Sequence, residues 1–436
     1  MGAILVLYHA PRAPLRRAVA DHLYSIRRYS GRPCIYVNLA VRPVPSWIDR
    51  LEIDLVVLHT ILLATRWQPE VFRDVARRLR PIQRLHCPRI AIPQDEFLNT
   101  DILVDFLRGF RVEHVFTTLP PDEWDTVYGG LMADGAGLTR VLTGYLEPRT
   151  VRRINQLAAK TGEREIDIGY RSWKPEQWLG RHGMLKGWIA ERFEEEGRRL
   201  GLRVDISMDP ADTLLGDAWY RFLLQCFFTI GVEGGASILD RDGRVRACVD
   251  AYAADYPDAS FEEIERACFA GLDGRFNLRA LSPRHLEACA TRTPQILVEG
   301  SYNGILEAGR HYIPLRADFD NLSQVLQQVT HREQGREMAE RAYRDVVASG
   351  QYTYESFVMT LLANAEVHSR RTPVKDSLPI RAFSAWGRAA DRPSWALVRL
   401  RQHLKPIARE TLRRTGLLRV AKQVRGRRRL WSEREV

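Results

Sequence analysis

Short apolar runs alternate with amphipathic stretches along most of the chain, first in residues 1–148 and again from Glu165 onward. The apolar runs have the length of strands, and the stretches between them repeat their apolar residues at helical spacing. This alternation is typical of parallel sheets covered on both faces by helices. The pattern predicts strands at residues 3–9, 33–39, 55–59, 89–94, 114–118 and 140–146, and in the second series at 166–170, 203–206, 226–232, 295–298 and 312–315.

The two series predict two domains, because a chain of 436 residues exceeds the size of one ordinary core. We expect an α/β fold with two Rossmann-like domains that face a cleft, followed by a basic helical tail. The predicted parts are an N-terminal domain at 1–148, a linker at 149–164, a C-terminal domain with closing helices at 165–367 and the tail at 368–436. Since ligands of such sheets bind at the carboxyl ends of the strands, the cleft is the expected site.

Positive charge is concentrated at the end of the chain. Residues 370–436 contain nineteen Lys/Arg and five Asp/Glu, a net charge of +14, so the remaining residues carry −3 of the +11 total. Within 394–431, apolar residues recur at helical spacing and basic residues fill the other positions. A basic amphipathic helix of this kind favours an anionic membrane surface over nucleic acid, because no nucleic-acid recognition motif accompanies it.

The rest of the composition predicts a globular cytoplasmic protein. Hydrophobic residues make up 45% and charged residues 27%, which excludes a disordered chain. The six cysteines form no C-x-x-C pair, and this predicts reduced thiols. The N-terminal apolar run lacks a basic region before it and predicts a first strand, not a signal peptide. No run reaches the length of a membrane-spanning helix, and no metal-binding or P-loop motif occurs.

The segment Ser282–Val298 carries the most specific signal. Ser282 suits a helix N-cap and Pro283 the first helical position, so a short helix is predicted before the strand at 295–298. The N-terminus of a helix binds phosphate groups through free N–H groups and a partial positive charge. Arg284 adds a cation there, and Glu287, one turn further on, can accept both hydroxyls of a ribose. Together they predict a nucleotide site.

The residues from Glu287 to Pro294, Glu-Ala-Cys-Ala-Thr-Arg-Thr-Pro, resemble the nucleotide-binding helix of GT-B glycosyltransferases, Glu-Ala-Met-Ala-Cys-Gly-Thr-Pro. The variant Ser-Pro-Arg-x-x-Glu-Ala is similar to a branch of bacterial group 1 transferases. The resemblance implies a metal-independent, retaining hexosyltransferase that needs no cofactor besides its nucleoside diphosphate sugar. It implies transfer to a hydroxyl of a glycan or lipid-linked acceptor in cell-surface polysaccharide synthesis, with Glu287 on the ribose. Many members place another Glu eight positions earlier, where this chain has Arg279.

A second register of the same motif is present further along the chain. Glu299 and Glu307 have the Glu-x7-Glu spacing, with Pro314 seven residues after the second Glu. Residues 309–315 and 318–329, however, resemble the strand and helix that follow the nucleotide helix in the family. Because only the first register leaves room for both, Glu287 is preferred and the Glu299/Glu307 pair is kept as the alternative.

Two further loops contain candidate donor-site residues. The resemblance places an Arg and a Lys after the first strand of the second domain, where they neutralise the departing diphosphate. Arg171 and the Lys-Gly pair that begins with Lys186 match these positions. After the strand at 226–232, Glu233 is a candidate acceptor for donor-sugar hydroxyls, and Gly234 and Gly235 allow a ligand close to the backbone.

Acidic and imidazole groups at strand ends of the first domain are candidates for the acceptor side. His59, Asp95 and Glu96 follow predicted strands, and His9 follows another. Groups of this kind accept the proton of an attacking hydroxyl. We therefore predict His59, Asp95, Glu96 and Glu233 as catalytic residues. Two other functions remain open at this point: a nucleotide-sugar epimerase of the same fold, and a non-catalytic membrane or nucleic-acid adaptor.

Overall fold

The computed structural model describes residues 2–11, 15–365 and 380–382. The first series of strands comprises β1 (Ala3–Tyr8), β2 (Cys34–Asn38), β3 (Ile53–Leu58), β4 (Arg89–Ala91), β5 (His114–Thr117) and β6 (Gly137–Arg140). The second comprises β7 (Ile166–Arg171), β8 (Val204–Ser207), β9 (Cys226–Gly231), β10 (Gly234–Ala236), β11 (Leu278–Ala280), β12 (Gln295–Val298) and β13 (Ile313–Leu315).

Helices follow most of these strands, as the helical spacing predicts. They are α1 (Arg17–Tyr29), α2 (Thr60–Leu63), α3 (Pro69–Arg78), α4 (Thr100–Gly109), α5 (Trp124–Ala133), α6 (Pro148–Ala158), α7 (Gly180–Arg199), α8 (Asp217–Gln225), α9 (Arg244–Asp255), α10 (Phe261–Cys268), α11 (Pro283–Ala290), α12 (Leu322–Val329), α13 (Arg332–Ala342) and α14 (Tyr354–Asn364).

The chain contains two parallel sheets with the same doubly wound strand order. The first is ordered β2-β1-β3-β4-β5-β6 and the second β13-β12-β9-β7-β8. Counted within its own series, the first sheet runs 2-1-3-4-5-6 and the second 2-1-3-4-5, and in both the order reverses between the first strand and the third. All strand pairs of the second sheet are parallel. The predicted fold class, α/β with two Rossmann-like parallel sheets, is confirmed.

Continuous burial explains why the strands are recognisable from sequence. All six residues of β1 and all six of β9 are buried. Strands covered on both faces need apolar residues at every position, which is why they read as unbroken apolar runs. The described chain divides into two compact units, one built mainly from Met1–Leu15 and Arg32–Arg89, the other from Arg16–Gly31 and Ile90–Arg371. The domain limits drawn from sequence at residues 148 and 164 remain a prediction.

The last described long helix returns to the first helix within the second unit. His22 of α1 lies 5.8 Å from the ring centroid of Tyr354 and 5.1 Å from that of Phe357, both on α14. Leu146 and Tyr354 also pair through the backbone, with 3.1 Å from the Tyr354 nitrogen to the Leu146 oxygen.

Two sequence predictions about this part of the molecule are wrong. The strand expected at 140–146 lies at Gly137–Arg140, because Leu142 and Leu146 are buried in a cluster with Leu281 and Leu286 and not in the sheet. The cysteines are not all reduced, since Cys248 and Cys268 form a disulfide between α9 and α10 with 5.5 Å between their Cα atoms. A separation of 20 residues carries no C-x-x-C signature, so the pairing is set by helix packing.

The basic segment 394–431 lies outside the described residues, and its predicted helix is not tested. Within the described part of the chain, no helix has the length and apolar character needed to cross a membrane.

Candidate functional site

A groove lies at the carboxyl ends of β7 and β9, where the strand order of the second sheet reverses. A first cavity of about 170 Å³ is lined by residues of both strand ends, by Lys186 and by the N-terminus of α11. A second, of about 150 Å³, shares Arg171, Ser172, Trp219 and Arg284 with the first. A third and smaller one shares Glu287, Tyr220 and Ala18 with the second. We call this connected set of cavities the β7–β9 groove. Doubly wound sheets bind ligands at such a reversal point.

Helix α11 begins where the sequence predicts and presents its N-terminus to the groove. Ser282 has extended N-cap geometry, with φ −79° and ψ 144°, and its side chain makes no capping hydrogen bond. Ser282 and Arg284 both line the first cavity. The first N–H groups of a helix have no partner within it. The end of α11 therefore offers donors and a cation to an anion in the groove.

Glu287 lies on the same helix, partly buried and turned toward the second and third cavities. The indole nitrogen of Trp219 donates a hydrogen bond of 2.8 Å to Glu287 Oε2. Burial raises the pKa of Glu287 to about 6, and the hydrogen bond from Trp219 and the charge of Arg284 act in the opposite direction. Tyr220 also forms a side-chain hydrogen bond with this carboxylate, so Trp219 and Tyr220 together hold Glu287 in position at the groove.

The pKa of Glu287 gives a testable effect on stability. Its ordinary value is 4.5 and its folded value about 6, so the folded state holds this proton more tightly than the unfolded state. Ionisation of Glu287 therefore lowers the free energy of unfolding. This loss of stability is absent below pH 4.5, is complete above pH 6 and amounts to about 2 kcal/mol. Glu287→Gln removes the charge and keeps an acceptor for Trp219. We expect it to raise the free energy of unfolding by about 2 kcal/mol at neutral pH.

Urea denaturation at roughly pH 7 and pH 4 checks this result, because at the lower pH the variant and the parent protein should have the same free energy of unfolding. Glu299→Gln is the matched control, since Glu299 is exposed. A stabilisation of equal size at both pH values would contradict the assignment of the shift to Glu287 ionisation.

Lys186 is the second cation of the groove. It lies on the second turn of α7 and lines the first cavity. Burial lowers the pKa of Lys186, the nearby Asp95 carboxylate raises it, and Arg284 lowers it further. Among the residues that the structure describes, none forms a hydrogen bond with the Lys186 ammonium group. Asp95 itself is exposed and has a φ of 53°, a left-handed conformation that Asp tolerates better than most residues.

Arg171 lines the groove, but its guanidinium group is bound to another part of the sheet. Arg171 Nη2 lies 2.8 Å from Asp205 Oδ1, and Nη1 donates to the Asp205 carbonyl at 2.9 Å. The group also stacks 4.3 Å from the ring centroid of Phe222. In turn, the carbonyl of Arg171 accepts a hydrogen bond from Arg284. Arg171 thus positions Arg284, and a direct contact of its side chain with phosphate would require release from Asp205.

The side chain of Glu233 is bound to the loop after β12. Its side chain accepts hydrogen bonds from the Tyr302 nitrogen at 2.7 Å, the Ser301 nitrogen at 3.2 Å and the Ser301 hydroxyl at 3.1 Å. Glu233 is only 2% exposed, and a Cβ atom at Gly300 would lie 2.3 Å from its Oε2. The carboxylate therefore holds a turn that requires glycine. This geometry gives Glu233 a structural role and leaves its predicted contact with sugar hydroxyls without an available oxygen.

The two glycines after Glu233 lie in the short strand β10. Gly234 lines the first cavity. Gly235 has a φ of 110°, and a Cβ atom there would lie 2.1 Å from the Leu278 carbonyl of β11. The hairpin of β10 and β11 therefore needs glycine at position 235, and Gly234 is the one of the pair that faces the groove.

The acceptor-side candidates differ from one another in their surroundings. Glu96 is 1% exposed and accepts hydrogen bonds from Thr117 Oγ1 at 2.5 Å and Thr118 Oγ1 at 2.9 Å. These hydrogen bonds hold the carboxylate at the end of β5. In the other compact unit, His59 is fully buried and caps α2, with its Nδ1 accepting from the Ile61 nitrogen at 3.3 Å. Asp95 alone of these three is exposed.

The segment of the alternative motif register, which contains Glu299 and Glu307, does not form a helix like α11. Glu299 and Glu307 are exposed, and Glu307 lies in a loop with its carboxylate 3.9 Å from Arg310. The segment between them holds a single 3₁₀ turn at Tyr302–Gly304 and no α-helix. Neither carboxylate lines the β7–β9 groove.

Several groove residues have no signal in the sequence. Trp219 and Tyr220 lie on α8, where an aromatic pair is indistinguishable from ordinary core residues. Trp173 follows β7, lines the first cavity and is 55% exposed, an unusual value for so large an apolar side chain. Within the described residues, no group of three or more His, Cys, Asp or Glu has an arrangement suited to a metal ion.

Comparison with known proteins gives structural similarity only. No protein-family model matches the chain, and no curated protein matches it in sequence. HepE from Anabaena, solved in complex with UDP and glucose, aligns over 84% of this chain and 100% of its own, with 11% identity and a TM-score of 0.45. Sucrose-phosphate synthase from Thermosynechococcus elongatus aligns over 83% and 97%, with 9% identity and a TM-score of 0.46.

AviGT4, described as a glycosyltransferase involved in avilamycin A biosynthesis, aligns over 84% of this chain and 97% of its own. The identity is 12% and the TM-score 0.40. Similarity at this level does not establish an activity.

Proposed function

We propose that the protein is a glycosyltransferase that moves a sugar from a nucleoside diphosphate donor to a hydroxyl of a glycan or lipid-linked acceptor. One observation carries the proposal: a carboxylate and two cations, Glu287, Arg284 and Lys186, line one connected groove at the reversal point of a parallel sheet. This order of charges matches a ribose followed by a diphosphate. The motif resemblance at 287–294 supports the same identification.

In the proposed mechanism, the diphosphate binds at the N-terminus of α11 between Arg284 and Lys186. As the bond to the sugar breaks, negative charge accumulates on the leaving diphosphate, and fixed cations stabilise it more than they stabilise the ground state. Glu287 accepts the ribose hydroxyls, and the hydrogen bond from Trp219 orients its carboxylate for this contact. The chain's own residues thus bind the nucleotide, neutralise the leaving group and hold the carboxylate in place. We extend the proposal to a metal-independent, retaining reaction with a hexose.

The surroundings of each carboxylate support the first motif register. Glu287 lies on a helix that ends before β12 and lines the groove, whereas Glu299 and Glu307 are exposed in a loop. On the acceptor side, Asp95 is the preferred catalytic group because it is exposed and its charge acts on Lys186. His59 stays a candidate within its own compact unit. A cytoplasmic location with peripheral contact to the inner membrane face through residues 394–431, in polysaccharide synthesis, belongs to the same proposal.

Calorimetric titration with UDP, GDP and ADP tests the nucleotide site. One of them should bind, and Glu287→Ala should weaken that binding about 10- to 100-fold, because hydrogen bonds to a charged group contribute about 1.5–3 kcal/mol. Glu307→Ala is the matched control and should leave the affinity unchanged. The proposal is wrong if no nucleoside diphosphate binds, or if the two variants behave alike.

A second assay separates transfer from isomerisation of the donor. An epimerase of the same fold would convert a nucleotide-sugar with no acceptor present. Incubation of UDP-glucose with the protein, followed by separation of the nucleotide-sugars, should give unchanged donor or slow release of UDP. Formation of an isomeric nucleotide-sugar would identify an epimerase instead.

A further inference from the structure

The guanidinium groups of two arginines near the turn that follows β9 donate no hydrogen bond to any described residue. They are Arg140, at the end of β6, and Arg279, in β11. The Nε atom of each is buried and without a partner. Arg171 also has a buried Nε without a partner, but its other nitrogens bind Asp205. Buried donors left without acceptors are costly, so a ligand that supplies acceptors is the simplest account of Arg140 and Arg279.

Both arginines lie near the Glu233–Gly234 turn that follows β9. Arg279 pairs through its backbone with Gly235, adjacent to the groove residue Gly234. The charge of Arg140 acts on Glu233, and the charges of Glu233 and Arg279 both act on Tyr302. These relations place the two guanidinium groups around the Glu233–Gly234 turn.

His182 adds a third polar atom without a partner to this cluster. It is 4% exposed, and its Nε2 lies 3.1 Å from the Glu233 carbonyl oxygen. Because a carbonyl only accepts, Nε2 carries the proton and Nδ1 is a bare acceptor, and this Nδ1 is buried with no partner. Burial, with the charges of Arg279 and Lys186, lowers the pKa of His182 to about 3, so the ring is neutral. His182 lies one helical turn before Lys186 on α7.

The carboxylates nearby form no hydrogen bonds with these two guanidinium groups. Both oxygens of Glu233 are bound by the amides and hydroxyl of Ser301 and Tyr302. Asp122 acts on Arg140 only through its charge. The cluster thus offers two guanidinium donors and one imidazole acceptor beside the position proposed for the diphosphate.

From this geometry we infer that Arg140, Arg279 and His182 form a subsite for a sugar that carries a carboxylate, with the guanidinium groups on the carboxylate and His182 Nδ1 accepting from a ring hydroxyl. A planar guanidinium group matches a carboxylate with paired hydrogen bonds, whereas a neutral hydroxymethyl group gives it a single acceptor. The inference rests on the proposed function, since it assigns the sugar class bound beside the nucleotide. The acidic sugar belongs either to the donor or to the acceptor, and both sources share this chemistry.

Paired calorimetric titrations test the subsite. UDP-glucose and UDP-glucuronate differ only at C6; GDP-mannose and GDP-mannuronate are the corresponding pair if GDP is the nucleotide that binds. The uronate should bind at least tenfold more tightly, and Arg279→Gln should abolish the preference while UDP or GDP alone binds as before. Arg275→Gln, at an exposed position in the loop before β11, is the matched control and should keep the preference.

A further titration, with methyl glucuronoside added to the nucleotide-saturated protein, tests whether the acidic sugar belongs to the acceptor. Binding of the glucuronoside that Arg279→Gln abolishes would place the acidic sugar on the acceptor. The subsite is refuted if neither uronate ligand depends on Arg279 while UDP or GDP still binds normally. Failure of every nucleoside diphosphate to bind would instead refute the proposed function.

Discussion

Lys186→Ala is expected to lower the turnover number of sugar transfer by about 100- to 1,000-fold, the usual effect of removing one preorganised group that stabilises transition-state charge. Lys186 lines the first cavity with its ammonium group free of hydrogen bonds to the described residues. Its partial burial strengthens its interaction with a developing charge. The Michaelis constant for the donor should change less, by under about tenfold, because the cation contributes most when the bond is breaking. Initial rates at saturating and limiting donor separate the two effects.

Lys174→Ala is the matched control, because Lys174 follows the same strand but is exposed. Its turnover number should stay within about twofold of the parent, as expected for a surface substitution away from the groove. A Lys186→Ala protein with normal turnover would show that another group neutralises the diphosphate. A protein with normal turnover number but a greatly raised Michaelis constant would assign Lys186 to ground-state binding only.

Much of the fold follows from local sequence, because buried parallel strands require unbroken apolar runs. The strand Gln295–Val298 has the predicted limits. The strands β10 and β11 were not foreseen, since Gly234–Ala236 has no side chains that mark a strand. The disulfide between Cys248 and Cys268 was missed for a related reason: it depends on how α9 and α10 pack, which the spacing of the cysteines does not encode.

The candidate site was predicted from local patterns where its residues are close together in sequence, and Arg171 and Lys186 were predicted from the family resemblance. Ser282, Arg284 and Glu287 belong to one helix and were found through its capping and its motif. The cluster around Glu233 comes from β6, α7, β9 and β11, so no local pattern connects its members. Glu233 itself was assigned to the sugar because glycines follow it, but the loop after β12 folds back and binds both carboxylate oxygens. Long-range contacts of this kind decide which polar residues remain available to a ligand.

Arg164→Met is expected to lower the free energy of unfolding by about 3–5 kcal/mol, since it leaves several buried acceptors without donors at once. Arg164 Nη1 donates to the Leu223 carbonyl at 2.9 Å and to Thr293 Oγ1 at 3.2 Å, and Nη2 donates to the Arg292 carbonyl at 2.9 Å. One guanidinium group thus joins the end of α8 to the end of α11. Burial lowers the pKa of Arg164. Burying a charged group is costly unless it is hydrogen-bonded, and these carbonyl acceptors supply the bonds.

Urea denaturation of Arg164→Met, Arg164→Lys and the exposed control Arg152→Met measures this effect. The lysine variant should recover little stability, because one ammonium group cannot span acceptors that the guanidinium fork reaches in two directions. The control should stay within about 0.5 kcal/mol of the parent. Since α8 carries Trp219 and α11 carries Glu287, loosening their connection should also weaken nucleotide binding at temperatures where the variant is still folded. Full recovery by lysine would show that charge alone, and not the shape of the fork, holds these two helices of the groove together.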